Sequence, residues 1–318
     1  MTQFEIYVHA EEDWIVSATI YISISILFYI PNILILIFAS TKSNIKADTF
    51  RVIVTASITS IMSLFLYSLF AYLWWFSYLT DTEIPLKLSN TICQIRFFGQ
   101  NLIFAVPFVV SVWRFNILIT KINLNFINYI ILFFLSMCPT IYSFLDSVVI
   151  SKTVEANDIF SYSIKYTSPF ISFLYFITQI LCPSISLLLN FIILSKIRNH
   201  IKVSQKITGF DNHMKYLTYS LIINSTLPLI GGTPNFVCYT LFSFGYTIKR
   251  IYWNFSEAMV LILGGMTPLL MIIFLPSFKL QLISFLCCKR NQIMNVSLIN
   301  IVTVPMRGRG TFRSKRLK

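Results

Sequence analysis

Charge is what this sequence has least of. Asp, Glu, Lys and Arg make up 12% of the 318 residues, about half the share usual in soluble domains. Histidine is rarer still, with three residues, His9, His200 and His213, none of them inside an apolar run beside a carboxylate. That removes the material for a site of histidine and acid that could hold a metal or move protons. There is no Gly-x-Ser-x-Gly elbow, no Walker-type phosphate loop and no dinucleotide fingerprint, so neither an enzyme nor a bound cofactor is expected. No internal repeat, low-complexity block or domain boundary interrupts the chain before its tail. The six cysteines are scattered and do not form the framework of a small secreted domain.

What is present is apolar length. The hydrophobic share is 56% and the mean hydropathy +0.74, and the sequence breaks into seven runs almost free of charge: Trp14–Thr41, Val52–Thr80, Phe97–Thr120, Ile122–Leu145, Tyr166–Ser195, Tyr216–Ile248 and Ile251–Phe278. Only Arg114 in the third and Glu257 in the seventh break the rule, and Asp146 follows the fourth at its edge. At ~1.5 Å rise per residue, roughly 20 apolar residues cross a ~30 Å hydrocarbon core, and every run is long enough. The expected fold is an all-α membrane protein, a seven-transmembrane helix bundle with its termini on opposite sides. Short connections make sequential helices antiparallel neighbours. Pro31, Pro107, Pro139, Pro183, Pro228, Pro234 and Pro268 fall inside the runs, each a predicted kink. Gly231-Gly232 and Gly264-Gly265 read as points of close helix packing.

The net charge of +13 follows the pattern of a membrane protein and argues against nucleic acid as a partner. With the N-terminus outside, the cytoplasmic segments hold 19 of the 25 Lys and Arg residues, as the insertion bias requires. Residues 1–14 carry Glu5, Glu11, Glu12 and Asp13 and no basic residue. They read as an extracellular tail, with the first run as the targeting element and no cleaved signal. Residues 15–290 form the transmembrane domain and 291–318 a basic cytoplasmic tail, in a multi-pass protein of the plasma membrane. After Pro276, residues Phe278, Leu282, Phe285 and Leu286 recur at helical spacing opposite Lys279, Gln281 and Ser284. This pattern predicts a short amphipathic eighth helix in the headgroup plane. Cys287 and Cys288 at its end are candidate palmitoylation sites, and the tail cations suit anionic membrane lipid.

A few residues stand out against this background. Cys138 and Cys182 read as small packing residues in mid-span, whereas Cys93 and Cys238 share the oxidising face, which leaves a Cys93–Cys238 disulfide open. Arg114, about 31 Å down its helix from Cys93, reaches the cytoplasmic end, either as an interfacial charge or as a contact for an intracellular partner. Lys196, Arg198, Lys202, Lys206 and Lys215 gather around the third inner loop, suited to an acidic protein surface or to lipid headgroups. Glu257 either pairs with Lys249, Arg250 or Arg96 or faces a ligand cation. Trp74, Trp75, Tyr78 and Trp253 read as an interfacial belt. Phe97, Phe98, Phe104, Phe173, Tyr175, Phe176, Phe236 and Tyr239 are candidates to line a pocket for a small, mostly apolar molecule.

The order of these features resembles that of G-protein-coupled receptors, and more narrowly the nematode serpentine chemoreceptor families. The resemblance rests on Tyr29-Ile30-Pro31-Asn32, Cys93, Trp113-Arg114-Phe115, Pro183, and Thr267-Pro268 followed by Phe274-Leu275-Pro276-Ser277-Phe278-Lys279. It implies a small-molecule ligand in the outer half of the bundle and a heterotrimeric G protein at the inner face. The chain departs from amine and opsin receptors. Ser151–Ser168 holds no cysteine, the seventh run has no Asn-Pro-x-x-Tyr, and no acid precedes Arg114. The rival expectation, a small-solute transporter or channel, calls for an inverted repeat or several midplane charges. An intramembrane enzyme or a ligand-free scaffold has still less to support it.

Overall fold

In a computed structural model of the chain, residues 7–10, 12–41, 47–122, 124–149, 176–204, 209–273, 275, 278–280 and 282–283 are described. The apolar runs become long helices: α1 (Glu12–Thr41), α2 (Ala47–Thr80), α3 (Leu86–Phe115), α4 (Phe126–Phe144), α5 (Cys182–Ser204), α6 (Gly209–Ser243) and α7 (Arg250–Ile273). Single π-helical turns extend α3 (Asn116–Thr120) and α4 (Leu145–Val149) and lead into α5 (Ile177–Leu181). Two short strands, β1 (Tyr7–Val8) and β2 (Ile84–Pro85), pair antiparallel with Tyr7 opposite Pro85. They mark one end of the bundle, called the strand end below.

Among the described residues, six segments are long and apolar enough to cross a membrane: Trp14–Thr41, Phe50–Thr80, Leu86–Thr120, Phe126–Phe144, Ile177–His200 and Arg250–Ile273. The chain is therefore a helical protein of the multi-pass membrane type. Helix α6 is not among the six, because Asn224, Ser225, Thr226, Thr233 and Asn235 dilute its apolar character. Burial is inverted relative to a soluble domain. Leu27 is 65% exposed and Phe126 77%, while Asn32, Ser57, Ser63, Asn101, Asn190 and Asn235 are buried. Large side chains facing outward and small polar ones between helices are what packing in lipid favours.

Helix α3 packs on α2, α4, α5 and α6, and α7 closes the bundle against α1, α2 and α6. The prolines explain several of the contacts. Pro268 cannot donate to the carbonyl of Gly264 one turn earlier. Ser60 Oγ on α2 donates to that oxygen at 2.8 Å, and Asn32 Nδ2 on α1 donates to the Gly265 carbonyl at 3.0 Å. Backbone freed in α7 thus ties three helices together, as neighbours in a membrane bundle can. Glycine is required there, since a Cβ on Gly265 would lie 2.6 Å from the Phe28 ring. Pro183 falls in the first turn of α5, directly after the π turn, so the irregularity expected from it is a local rewinding.

Several boundaries differ from the sequence expectation. The third helix begins at Leu86, not near Phe97, so Arg96 lies about 15 Å inside it. Helix α6 starts at Gly209 and ends at Ser243, and residues 246–249 are not helical. The chain divides into two units, Met1–Pro276 and Ser277–Lys318. In the second, residues 278–280 and 282–283 are helical. The rest of the expected eighth helix, with Cys287 and Cys288, lies outside the described residues, as do Phe173, Tyr175, Lys206 and the side chain of Lys202.

Candidate functional site

Toward the strand end, α3 and α7 face each other through a pair of charges. Arg96 Nη2 lies 2.7 Å from Glu257 Oε1, and each side chain is 1% exposed. Neither charge could be held at that depth alone, because desolvation of an isolated ion far exceeds what packing returns. The pair sits in a shell of rings. The Arg96 guanidinium lies 5.1 Å from the ring centroids of Tyr67 and Phe97 and 5.7 Å from that of Phe70, within cation–π range. The shell continues through Tyr239, 5.8 Å from Phe97 and 4.8 Å from Trp253. Tyr21 from α1 packs on Tyr67 and donates to Asn254 Oδ1 at 3.3 Å. Five helices meet around one ion pair.

This arrangement contains one of the pairings open for Glu257. Its partner is Arg96, an internal cation and one of the three basic residues considered for it. Trp74 and Trp253, expected at the interface, are instead buried in the same cluster at 0% and 2% exposure, whereas Tyr78 is exposed. Cys93 and Cys238 do not form a disulfide. Both pack as small side chains in this apolar cluster, a role a thiol fills without oxidation.

The candidate pocket residues that are described separate into four groups. Phe97 and Tyr239 belong to the shell around the ion pair. Phe98 turns the other way and, with Leu66, Ile95, Thr140 and Phe144, lines a groove of about 400 Å³ beside α4. Phe104 is buried where α3 meets α6, and a Cβ on Gly232 would lie 2.6 Å from its ring. Phe176 and Phe236 pair at 5.6 Å between the start of α5 and α6. They are only partly buried.

At the opposite end Arg114 is 3% exposed, and its Nη1 donates to Thr218 Oγ1 on α6 at 3.4 Å. The sequence placed this guanidinium in reach of water; the structure buries it between α3 and α6. Next to it lies a neutral network that sequence reading missed. Ser186 Oγ on α5 is 2.6 Å from both Ser111 Oγ on α3 and Ser225 Oγ on α6. Asn190 Nδ2 lies 2.9 Å from Ser111 Oγ and 3.1 Å from Ser225 Oγ. Ser111 and Ser186 also donate to the Pro107 carbonyl. The one signal in the sequence was the recurrence of small polar residues at helical spacing in apolar runs. Of the basic cluster, Lys196 is exposed. Arg198 donates to the Tyr219 hydroxyl at 2.9 Å, and Lys215 Nζ sits 6.0 Å from the Tyr219 ring, so those two cations gather where α5 and α6 meet.

No protein-family model and no curated protein sequence matches the chain.

Proposed function

We propose that the chain is a seven-helix chemosensory receptor of the G-protein-coupled type, in the plasma membrane with the strand end outside. In this reading α6 crosses the membrane with the six more apolar helices, its polar residues turned toward its neighbours. The helix after Pro276 lies along the inner leaflet. The observation that carries the proposal is Arg114, a cation held against α6 by Thr218 at the end of the bundle where the basic residues collect. A guanidinium that is buried in one arrangement of α3 and α6 and released in another is a two-state element that ligand binding can bias. Once released, it and Lys196, Arg198, Lys202, Lys206 and Lys215 would present a basic surface to the G protein. Because Glu257 is occupied by Arg96, the ligand is a neutral, mostly apolar small molecule. Its site would lie beside the partly buried Phe176–Phe236 pair, where burial would supply the affinity.

The test is nucleotide exchange on a panel of heterotrimeric G proteins reconstituted with the purified protein. Thr218→Ala should raise basal exchange and Arg114→Ala should abolish it. Exchange that survives Arg114→Ala removes Arg114 from the mechanism. Solute-dependent current in liposomes holding this protein alone would favour a transporter or channel instead. The orientation is checked separately: a tag after Met1 should be accessible on intact cells, and one after Lys318 only after permeabilisation.

A further inference from the structure

Helices α2 and α4 both pack along α3 but scarcely touch each other, so a wedge opens between them on the flank of the bundle. It forms two grooves of about 400 Å³ each. Among the described residues, the one nearer the strand end has no charged residue in its lining. The one at the opposite end is lined by Val109, Val110, Trp113, Phe126 and Tyr129 and is bordered by Arg51. Arg51 is exposed and stands in the first turns of α2, at the depth where an arginine meets lipid headgroups. This groove also shares Val52, Thr55 and Val110 with a small interior void beside Pro107 and Gly264. Whatever fills it therefore presses on the side chains that pack around the α3 and α7 irregularities.

We propose that this second groove binds an anionic phospholipid, with the lipid phosphate on Arg51 and an acyl chain lying along Val109, Val110 and Trp113. The two halves of the groove match the two halves of such a lipid. A guanidinium recognises phosphate oxygens by paired hydrogen bonds, and the apolar channel below it holds a chain that no soluble anion has. The groove near the strand end offers an acyl chain the same volume but no cation among its described lining residues, and serves as the internal control. The preference for anionic lipid rests on Arg51, because the choline cation of a zwitterionic headgroup opposes the guanidinium and an anionic headgroup does not. Only the natural supply of such lipid rests on the reading that this end faces the cytoplasmic leaflet.

Native mass spectrometry of the purified full chain, delipidated and then titrated with phosphatidylserine or phosphatidylcholine, tests it without depending on orientation. Phosphatidylserine should be retained in preference to phosphatidylcholine. Arg51→Gln should lower that retention about fivefold, the worth of one cation at a membrane surface, and Arg51→Lys should restore most of it. Val109→Trp, which fills the channel and leaves Arg51 in place, should reduce retention as well. Equal retention of both lipids by the unmodified protein, or Arg51→Gln without effect, would overturn the proposal. Loss with Arg51→Gln but not with Val109→Trp would overturn the acyl-chain half and reduce the site to an ion contact. If the tags show the opposite orientation while the lipid preference holds, the receptor topology fails and this site stands.

Discussion

Around Arg96 and Glu257, the strand end of the bundle buries two full charges inside a shell of aromatic rings. At the opposite end, beside the buried Arg114, Ser111, Ser186, Asn190 and Ser225 form a neutral network whose members hydrogen-bond to one another. Both regions link α3 to its neighbours, but they fail differently. A charge pair is held by one strong contact between two helices, and losing either partner leaves an ion with nowhere to go. A network of hydroxyls and one amide spreads smaller contributions over three helices, and two of its members have an alternative acceptor in their own helix backbone, Ser111 in Pro107 and Ser225 in Leu221. The strand end is therefore built to stay put, and the opposite end to rearrange at low cost. In the proposed receptor, α5 and α6 near Arg114 would be the parts that move.

The largest effect should come from breaking the strand end. Glu257→Gln is expected to destabilise the purified protein by about 3–5 kcal/mol, the usual cost of stranding one partner of a buried pair. Unfolding titrations in mixed micelles and surface expression would both report it. If Glu257 served a ligand instead, stability would hold and binding alone would fall.

The sequence made the runs of α1, α2, α4 and α7 legible because length and apolar content are local properties. It misplaced the head of α3 for a physical reason. A charge ends an apolar run when neighbours along the chain are all that is visible, and the residue that neutralises Arg96 is 161 positions away. The same distance problem hid the role of the glycines. Gly264-Gly265 and Pro268 announce a close, irregular stretch, but nothing nearby in sequence points to Ser60 or Asn32 as the donors. Aromatic residues were the least legible, since Phe97 and Phe98 are adjacent in sequence and yet meet different neighbours, Tyr239 and the groove beside α4. Arg114 was recognised as an exceptional residue, but not as a buried one.

A middle-sized effect should come from the opposite end. Asn190→Leu removes the donor shared by Ser111 and Ser225 and is expected to cost about 1–2 kcal/mol. It should also raise basal nucleotide exchange, because the contacts it loosens join α3, α5 and α6. A stability loss as large as that of Glu257→Gln would erase the contrast between the two ends. The smallest effect is expected between them. Ser60→Ala deletes one interhelical hydrogen bond to the Gly264 carbonyl, and about 0.6 kcal/mol is typical of such bonds in membrane bundles. Asn32 on the adjacent carbonyl should keep α1 and α7 together, which cysteine cross-linking between those helices would show.

The most direct measurement is a double-mutant cycle on the ion pair, using Arg96→Met, Glu257→Leu and the two combined, read as unfolding free energy in mixed micelles. If the pair is a self-contained tie between α3 and α7, each single variant loses several kcal/mol while the double variant recovers most of the loss, as apolar replacement of a buried pair commonly does. If the two losses simply add, Arg96 and Glu257 are each held by something other than the other, and the contrast between the two ends of the bundle is wrong.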